Sequence, residues 1–309
     1  MARGELASRL MVAVVGIPLA VFIIYRGAWP LGVLLAVVGA LGAREFYALK
    51  PDDTPAFVWL GVALAGALPL IAAIHSDYHT FAQVAFALVL GTALLALALS
   101  IWLRWPAGHP LDAAARTIMG ALYTGGALSF WVLLRALPEQ SSAGATAFHG
   151  AALLIFPIWV TWFGDTFAYG FGSRWGRAKL IEAVSPNKTV VGAIGGLLGS
   201  VLAGGVFARL WLSGVPEFAL SWPVGAALSL PIAIAGQVGD LAESVIKRHA
   251  GVKDSSRLLP GHGGVLDRLD ALFFTVPLTY ALLLLIRPWL CPGSPYSDRR
   301  APLAEPRCP

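Results

Sequence analysis

Apolar stretches of membrane-spanning length dominate this chain and leave it few ways to fold. Nine of them follow one another through the 309 residues, at roughly 10–26, 29–48, 56–74, 80–103, 114–136, 148–172, 189–212, 223–246 and 269–288. A helix needs about 20 predominantly apolar residues to cross a bilayer. Hydrophobic residues make up 57% of the chain and charged residues 13%; that charged share is about half of what a soluble domain carries. A soluble globule of this length could not hide so much apolar surface, whereas lipid can solvate it. The 34 glycines and 21 prolines lie inside or between the apolar runs, where membrane helices tolerate them. The expected fold is an all-α integral membrane protein with about nine transmembrane helices.

The connections are short except for two polar segments, near 173–188 and 247–268. No fixed-period repeat and no linker interrupts the chain, so one polytopic domain is expected, with N-terminal spans over 1–140, catalytic spans and loops over 150–288, and a tail at 289–309. The first apolar run lacks a clean small-residue cleavage site and is followed by another long run, which favours a retained span over a signal peptide. The N-terminus and the loops after even-numbered spans hold 15 of the 22 Lys and Arg residues. The positive-inside rule therefore places the N-terminus and both polar segments in the cytoplasm. The net charge of +5 resides beside apolar spans and not on a soluble basic domain, which argues against nucleic-acid binding. Cys291 and Cys308 form neither a metal spacing nor a disulfide framework.

Charged groups at membrane depth are costly, and their presence points to function. Asp165 interrupts an apolar run, and Asp240 ends another. Glu243, Ser244 and Lys247 follow Asp240 at i+3, i+4 and i+7, sharing one helical face. The competing structural reading is that Asp240 or Glu243 simply pairs with Lys247. Next come Lys253 and Arg257, the turn Gly261-His262-Gly263-Gly264, and Asp267, Arg268 and Asp270 at the start of the last span. Glycines in such a turn let backbone approach a ligand closely, and amides freed there can cradle phosphate oxygens. For Asp267 alone the structural alternative is a carboxylate complementing a helix N-terminus. Carboxylates beside clustered Lys and Arg suit a Mg²⁺ ion that bridges to substrate phosphates, with Lys247, Arg248, Lys253 and Arg257 neutralising the remaining charge. His262 could contact phosphate or cap the turn. No Cys/His zinc pattern, Ser-His-Asp arrangement or Walker A lysine motif is present. The other polar segment is basic and turn-rich. Within it Ser185-Pro186-Asn187-Lys188-Thr189 offers phosphate donors, against the simpler reading of an anchoring loop.

At these residues the chain resembles the phosphatidate cytidylyltransferase (CDP-diacylglycerol synthase) family. The stretch from Gly239-Asp240 through Lys247-Arg248, Pro260-Gly-His-Gly-Gly264 and Asp267-Arg-Leu-Asp270 is similar to that family's signature. Asp165–Tyr169 and Ser185–Thr189 resemble its upstream motifs, and Arg44-Glu-Phe-Tyr47 more distantly matches its N-terminal half. One departure is that Val190, Val191 and Gly192 follow Thr189 where the family often carries an acidic residue.

The resemblance implies transfer of CMP from CTP to phosphatidic acid, giving CDP-diacylglycerol and pyrophosphate for phospholipid biosynthesis. It also implies a second cation such as K⁺ beside Mg²⁺, a homodimer and a place in the cell's inner membrane. Asp240 and Asp267 are the metal ligands it points to first, then Asp270 and Asp165; Lys188 and Lys247 are expected at the reacting phosphates. Ser185, Thr189, Arg248, Lys253, Arg257, Gly261, His262, Gly263, Gly264 and Arg268 are expected around the nucleotide. Two other functions fit parts of the pattern: a CTP-dependent membrane lipid or polyprenol kinase, which would release CDP, and an ion-coupled secondary transporter, for which repeated halves would be expected.

Overall fold

A computed structural model describes residues 3–49, 57–106, 108–256 and 263–290. Helices occupy all nine expected apolar segments. They are α1 (Arg3–Arg26), α2 (Ala28–Ala48), α3 (Val58–Ile74), α4 (Tyr78–Leu103), α5 (Pro110–Ala121), α6 (Ala127–Ser141), α7 (Ala147–Trp175), α8 (Val190–Phe207), α9 (Trp222–His249), α10 (Leu266–Leu269) and α11 (Leu272–Leu290). A π-helical turn, Leu122–Gly126, joins α5 to α6, and another, Ala208–Leu212, ends α8. Seven helices among the described residues are long and apolar enough to cross a membrane, while Gly16–Arg26 and Val58–Ile74 are shorter apolar helices. The chain is therefore an all-α multi-pass membrane protein.

The polar segment near 173–188 contains a small antiparallel hairpin, where a plain loop was expected. Its strands, β1 (Lys179–Ile181) and β2 (Ser185–Thr189), pair Lys179 with Thr189 and Ile181 with Ser185. The hairpin leads straight into α8. Thr189, the last strand residue, is also the helix N-cap and accepts a hydrogen bond from the Gly192 N–H at 3.1 Å. A Ser/Thr side chain in this position satisfies an amide that the helix itself cannot pair.

The chain forms two compact units. The first comprises Met1–Leu133 and Ala242–Phe273; the second comprises Leu134–Leu241 and Phe274–Pro309. In the first unit α2 packs along α3 through small residues. A Cβ on Gly39 would stand 3.0 Å from the Ala65 carbonyl oxygen and 3.2 Å from Gly125 Cα. Tyr47 closes the end of this group by donating its hydroxyl to the Thr117 carbonyl at 2.6 Å, and the Thr117 hydroxyl accepts from the Phe57 amide at 2.8 Å. Asp77 caps α4: hydrogen bonds from Thr80 hold its carboxyl below the usual range.

In the second unit α7 and α8 lie against each other. Phe167 and Phe171, one turn apart on α7, fill the spaces over Gly199 and Gly195 of α8. A Cβ on Gly195 would lie 2.7 Å from that of Phe171, so the helices approach this closely only because the side chain is missing. Gln237 of α9 donates to the Ala193 carbonyl at 2.9 Å, and Ser200 donates to the Val160 carbonyl at 2.9 Å. These bonds pair polar groups within the helix packing.

Candidate active site

Charged groups gather in two clusters, one in each unit. In the second unit the hairpin delivers Lys188 one residue before the α8 cap, and its Nζ lies 2.5 Å from Oδ2 of Asp240. Asp240 stands on α9 one turn beyond Gln237, whose bond to α8 fixes the helix there. Asp165 of α7 is within electrostatic reach of both Asp240 and Lys188. It lines a small recess with Thr161, Ser200 and Gln237. Three segments distant in sequence thus bring two carboxylates to one ammonium.

The first unit repeats this ratio. Lys247 lies between Asp267 Oδ1, at 2.7 Å, and Glu243 Oε1, at 3.1 Å. Glu243 is 1% exposed, and neither of its oxygens has a hydrogen-bond partner of normal geometry. Asp267 is more fully held: beyond Lys247, its Oδ2 accepts from Ser255 N at 2.9 Å, Ser255 Oγ at 2.8 Å and Gly264 N at 3.0 Å. Asp270 follows on the next helical turn. Its Oδ1 accepts from the Ala271 amide at 2.7 Å, and it lies within electrostatic reach of Glu243.

Several expected roles take a different form here. The alternative pairing of Glu243 with Lys247 is present, yet Lys247 also reaches Asp267. The amides beside the glycine turn donate inward, Gly264 to Asp267 and Val265 and Leu266 to Glu45. They serve the protein's own carboxylates before any phosphate. Gly263 has φ +81°, which an L side chain rarely adopts. Thr189 is buried as a helix cap, and Ser185 is half-buried at the strand start. Arg248, Lys253 and Arg268 are exposed. Arg257, Gly261 and His262 lie outside the described residues, as do Cys291 and Cys308.

Glu45 had no assigned role in the sequence reading. It is 6% exposed and meets the loop before α10. The only hint in the sequence was its place in Arg44-Glu-Phe-Tyr47, since a glutamate near the end of an apolar helix is otherwise unremarkable there.

Among the described residues no three His, Cys, Asp or Glu side chains are grouped so as to hold a metal ion. Mg²⁺ does not require such a cage, because it keeps several waters and is usually held by one or two carboxylates together with substrate phosphates. The carboxylates of Asp165 and Asp240 around Lys188, and of Glu243 and Asp267 around Lys247, supply hard oxygens of the kind that suit this cation.

Known proteins resemble this chain over part or most of its length. The chain is 33% identical over 303 residues to a phosphatidate cytidylyltransferase of Synechocystis, covering 91% of this chain and 98% of the relative. It is 42% identical over 141 residues to one from Staphylococcus saprophyticus, covering 46% of this chain and 52% of the relative. A Staphylococcus aureus protein of the same name is 42% identical over 139 residues, covering 45% and 52%. The model of the cytidylyltransferase family matches residues 7–286, nearly the whole length, and the chain belongs to that family.

Proposed function

We propose that this chain is a phosphatidate cytidylyltransferase: it transfers CMP from CTP to phosphatidic acid, releasing CDP-diacylglycerol and pyrophosphate. The observation that carries this reading is the pair of acid–lysine clusters, Asp165/Asp240/Lys188 and Glu243/Asp267/Lys247, on a membrane-spanning chain of the cytidylyltransferase family.

The lipid phosphate is already anionic near neutral pH, so attack on the α-phosphorus of CTP requires positioning more than a strong base. A phosphate oxygen of the lipid forms a bond to the α-phosphorus as the bond from that phosphorus to the bridging oxygen breaks, and pyrophosphate leaves. An ammonium carries three donors. Lys188, engaged with Asp240, and Lys247, engaged with Glu243 and Asp267, each retain N–H capacity for a phosphate oxygen. Arg248, Lys253 and Arg268 are exposed cations on or beside the same stretch and would hold the outer phosphates, with Arg257 joining them in this reading.

Asp240 and Asp267, then Asp270 and Asp165, are the residues that would hold Mg²⁺ and a second cation such as K⁺. Such ions supply charge neutralisation between two anionic substrates and on the departing pyrophosphate. The topology favoured by the distribution of basic residues puts both polar segments on the cytoplasmic side of the cell's inner membrane, where CTP is available, and a homodimer is the assembly in this reading.

The test is the reaction itself. Purified protein in detergent, given phosphatidic acid, CTP labelled at the α-phosphate and Mg²⁺, should form labelled lipid and equimolar pyrophosphate. Release of CDP with a phosphorylated lipid would instead identify a kinase, and absence of nucleotide turnover would reject both.

A further inference from the structure

Glu45 lies at the end of α2, some two hundred residues in sequence from the loop it holds. Its Oε1 accepts from Ser256 Oγ at 2.6 Å and from Val265 N at 3.0 Å, and its Oε2 from Leu266 N at 3.0 Å. Ser255 stands between two carboxylates, its Oγ 3.3 Å from Glu45 Oε2 and 2.8 Å from Asp267 Oδ2. A hydroxyl has one hydrogen, and the shorter distance directs it to Asp267. The same crowding accounts for Gly264. A Cβ there would strike Ser255 Oγ and stand 2.7 Å from Glu45 Oε2 and 3.0 Å from Ser256 Oγ.

The donors converging on Glu45 come from both ends of the segment that leads to Asp267. Residues 255–256 open it, and the amides of 265–266 begin α10, which carries Asp267. Asp267 in turn takes its own bonds from Ser255 and Gly264. A buried carboxylate is suited to this task because both oxygens only accept, and all the neighbours donate. An amide of the same shape would turn an NH₂ group toward at least one backbone N–H.

We propose that Glu45 is a positioning residue for cytidylyl transfer: by holding Ser256 and the amides of Val265 and Leu266 it fixes the orientation of Asp267, without itself touching substrate. The inference rests on the proposed function for its kinetic consequence, while the clamp can be tested without any substrate.

The experiment compares purified wild type, Glu45→Gln, Ser256→Ala and the double variant. Hydrogen exchange over 251–270 is followed in metal-free, substrate-free protein, and kcat and KM for CTP are then measured per folded molecule. Glu45→Gln should speed exchange at the 255, 265 and 266 amides while α7 and α8 exchange as in wild type. Its kcat should fall on the order of 10- to 100-fold, the usual effect of removing a group that orients a ligand side chain. Ser256→Ala should show a smaller change of the same kind. The double variant should be no worse than Glu45→Gln alone, since the two act through one contact.

Unchanged exchange at 265–266 in Glu45→Gln overturns the proposal, as does a uniform rise along the whole chain or full additivity of the two losses. Should Glu45→Gln not fold, Ser256→Ala decides alone: wild-type exchange at the 255, 265 and 266 amides refutes the clamp. Local exchange effects with no cytidylyl transfer in the wild type would retain the clamp and reject the enzymatic reading.

Discussion

Replacing Asp267 by asparagine separates the catalytic reading of the first-unit cluster from a purely structural one. Asp267 makes four contacts: Lys247 on Oδ1, and Ser255 N, Ser255 Oγ and Gly264 N on Oδ2. Asparagine has one oxygen, and the arrangement that wastes least keeps that oxygen on the three donors of Oδ2 and turns the NH₂ toward Lys247. The loop bonds then survive and the contact with Lys247 is lost. A hydrogen bond between charged groups contributes about 1.5–3 kcal/mol, so the variant should unfold at a lower temperature but remain folded. If Asp267 did nothing else, activity per folded molecule would be unchanged. If it holds a cation that balances phosphate charge during transfer, several kcal/mol of transition-state stabilisation are lost as well, on the order of 10²–10³-fold in kcat at 1.36 kcal/mol per tenfold. The assay is labelled-lipid formation at saturating phosphatidic acid, normalised to folded protein from size exclusion and thermal melting. An Asp267→Asn variant retaining kcat within about threefold of wild type would refute the assignment.

Three further outcomes follow from the geometry. Lys188→Met removes the ammonium that Asp240 contacts; kcat/KM for CTP should fall roughly 10- to 100-fold, the equivalent of about 1.5–3 kcal/mol for one charged hydrogen bond, as read by initial rates over a CTP series. Gly199→Ala would place a Cβ 2.5 Å from that of Phe167, so the α7–α8 contact should loosen at a cost of about 1–3 kcal/mol, seen as a lower melting temperature in detergent. Glu217→Gln strands the buried Arg287, whose Nε and Nη2 both bond to the glutamate; stability should fall by about 3–5 kcal/mol while kcat per folded molecule is retained, and a selective loss of kcat would contradict a structural role.

The positions of the helices could be read from the sequence because lipid imposes a length on apolar runs, and every expected run is helical. The count of full-length spans was less legible. Val58–Ile74 has the hydropathy but not the length, and the segment expected at 114–136 is a longer apolar helix, Pro110–Ser141, carrying a π turn. Asp165 and Asp240 could be picked out because charge at membrane depth is rare and costly, and Lys188, Lys247 and Asp267 because they stand in or beside the polar, turn-rich segments. Their pairing could not, since Lys188 meets Asp240 across 52 positions only after the hairpin and the α8–α9 contact have formed. Glu45 was illegible for the same reason: its partners lie more than two hundred positions away. The Ser185–Thr189 strand was missed because a proline, an asparagine and a lysine give no alternating apolar pattern, and the antiparallel pairing with Lys179–Ile181 creates the strand.

Charge balance separates the ionic groups that hold this protein together from those that act on a substrate. Arg135 is 2% exposed and lies 2.8 Å from Glu139, and Arg287 is held by Glu217; each cation meets a carboxylate of its own, and neither carboxylate is shared with a second lysine or arginine in these contacts. The two candidate catalytic clusters differ in kind. Lys188 lies among Asp165 and Asp240, and Lys247 between Glu243 and Asp267, leaving one carboxylate in excess at each. Packing alone would select against that excess, since two neighbouring carboxylates repel each other and favour losing one charge. A reaction that brings a triphosphate to a phosphate monoester gives the excess a use. Cations drawn to the carboxylates can bind both anions, while a lysine in each cluster keeps the acids placed before the substrates arrive. The same logic explains why Glu45, also a buried acid, needs no lysine. Two backbone amides and a serine hydroxyl satisfy it, so its charge is spent on holding a loop and leaves nothing over for a metal ion.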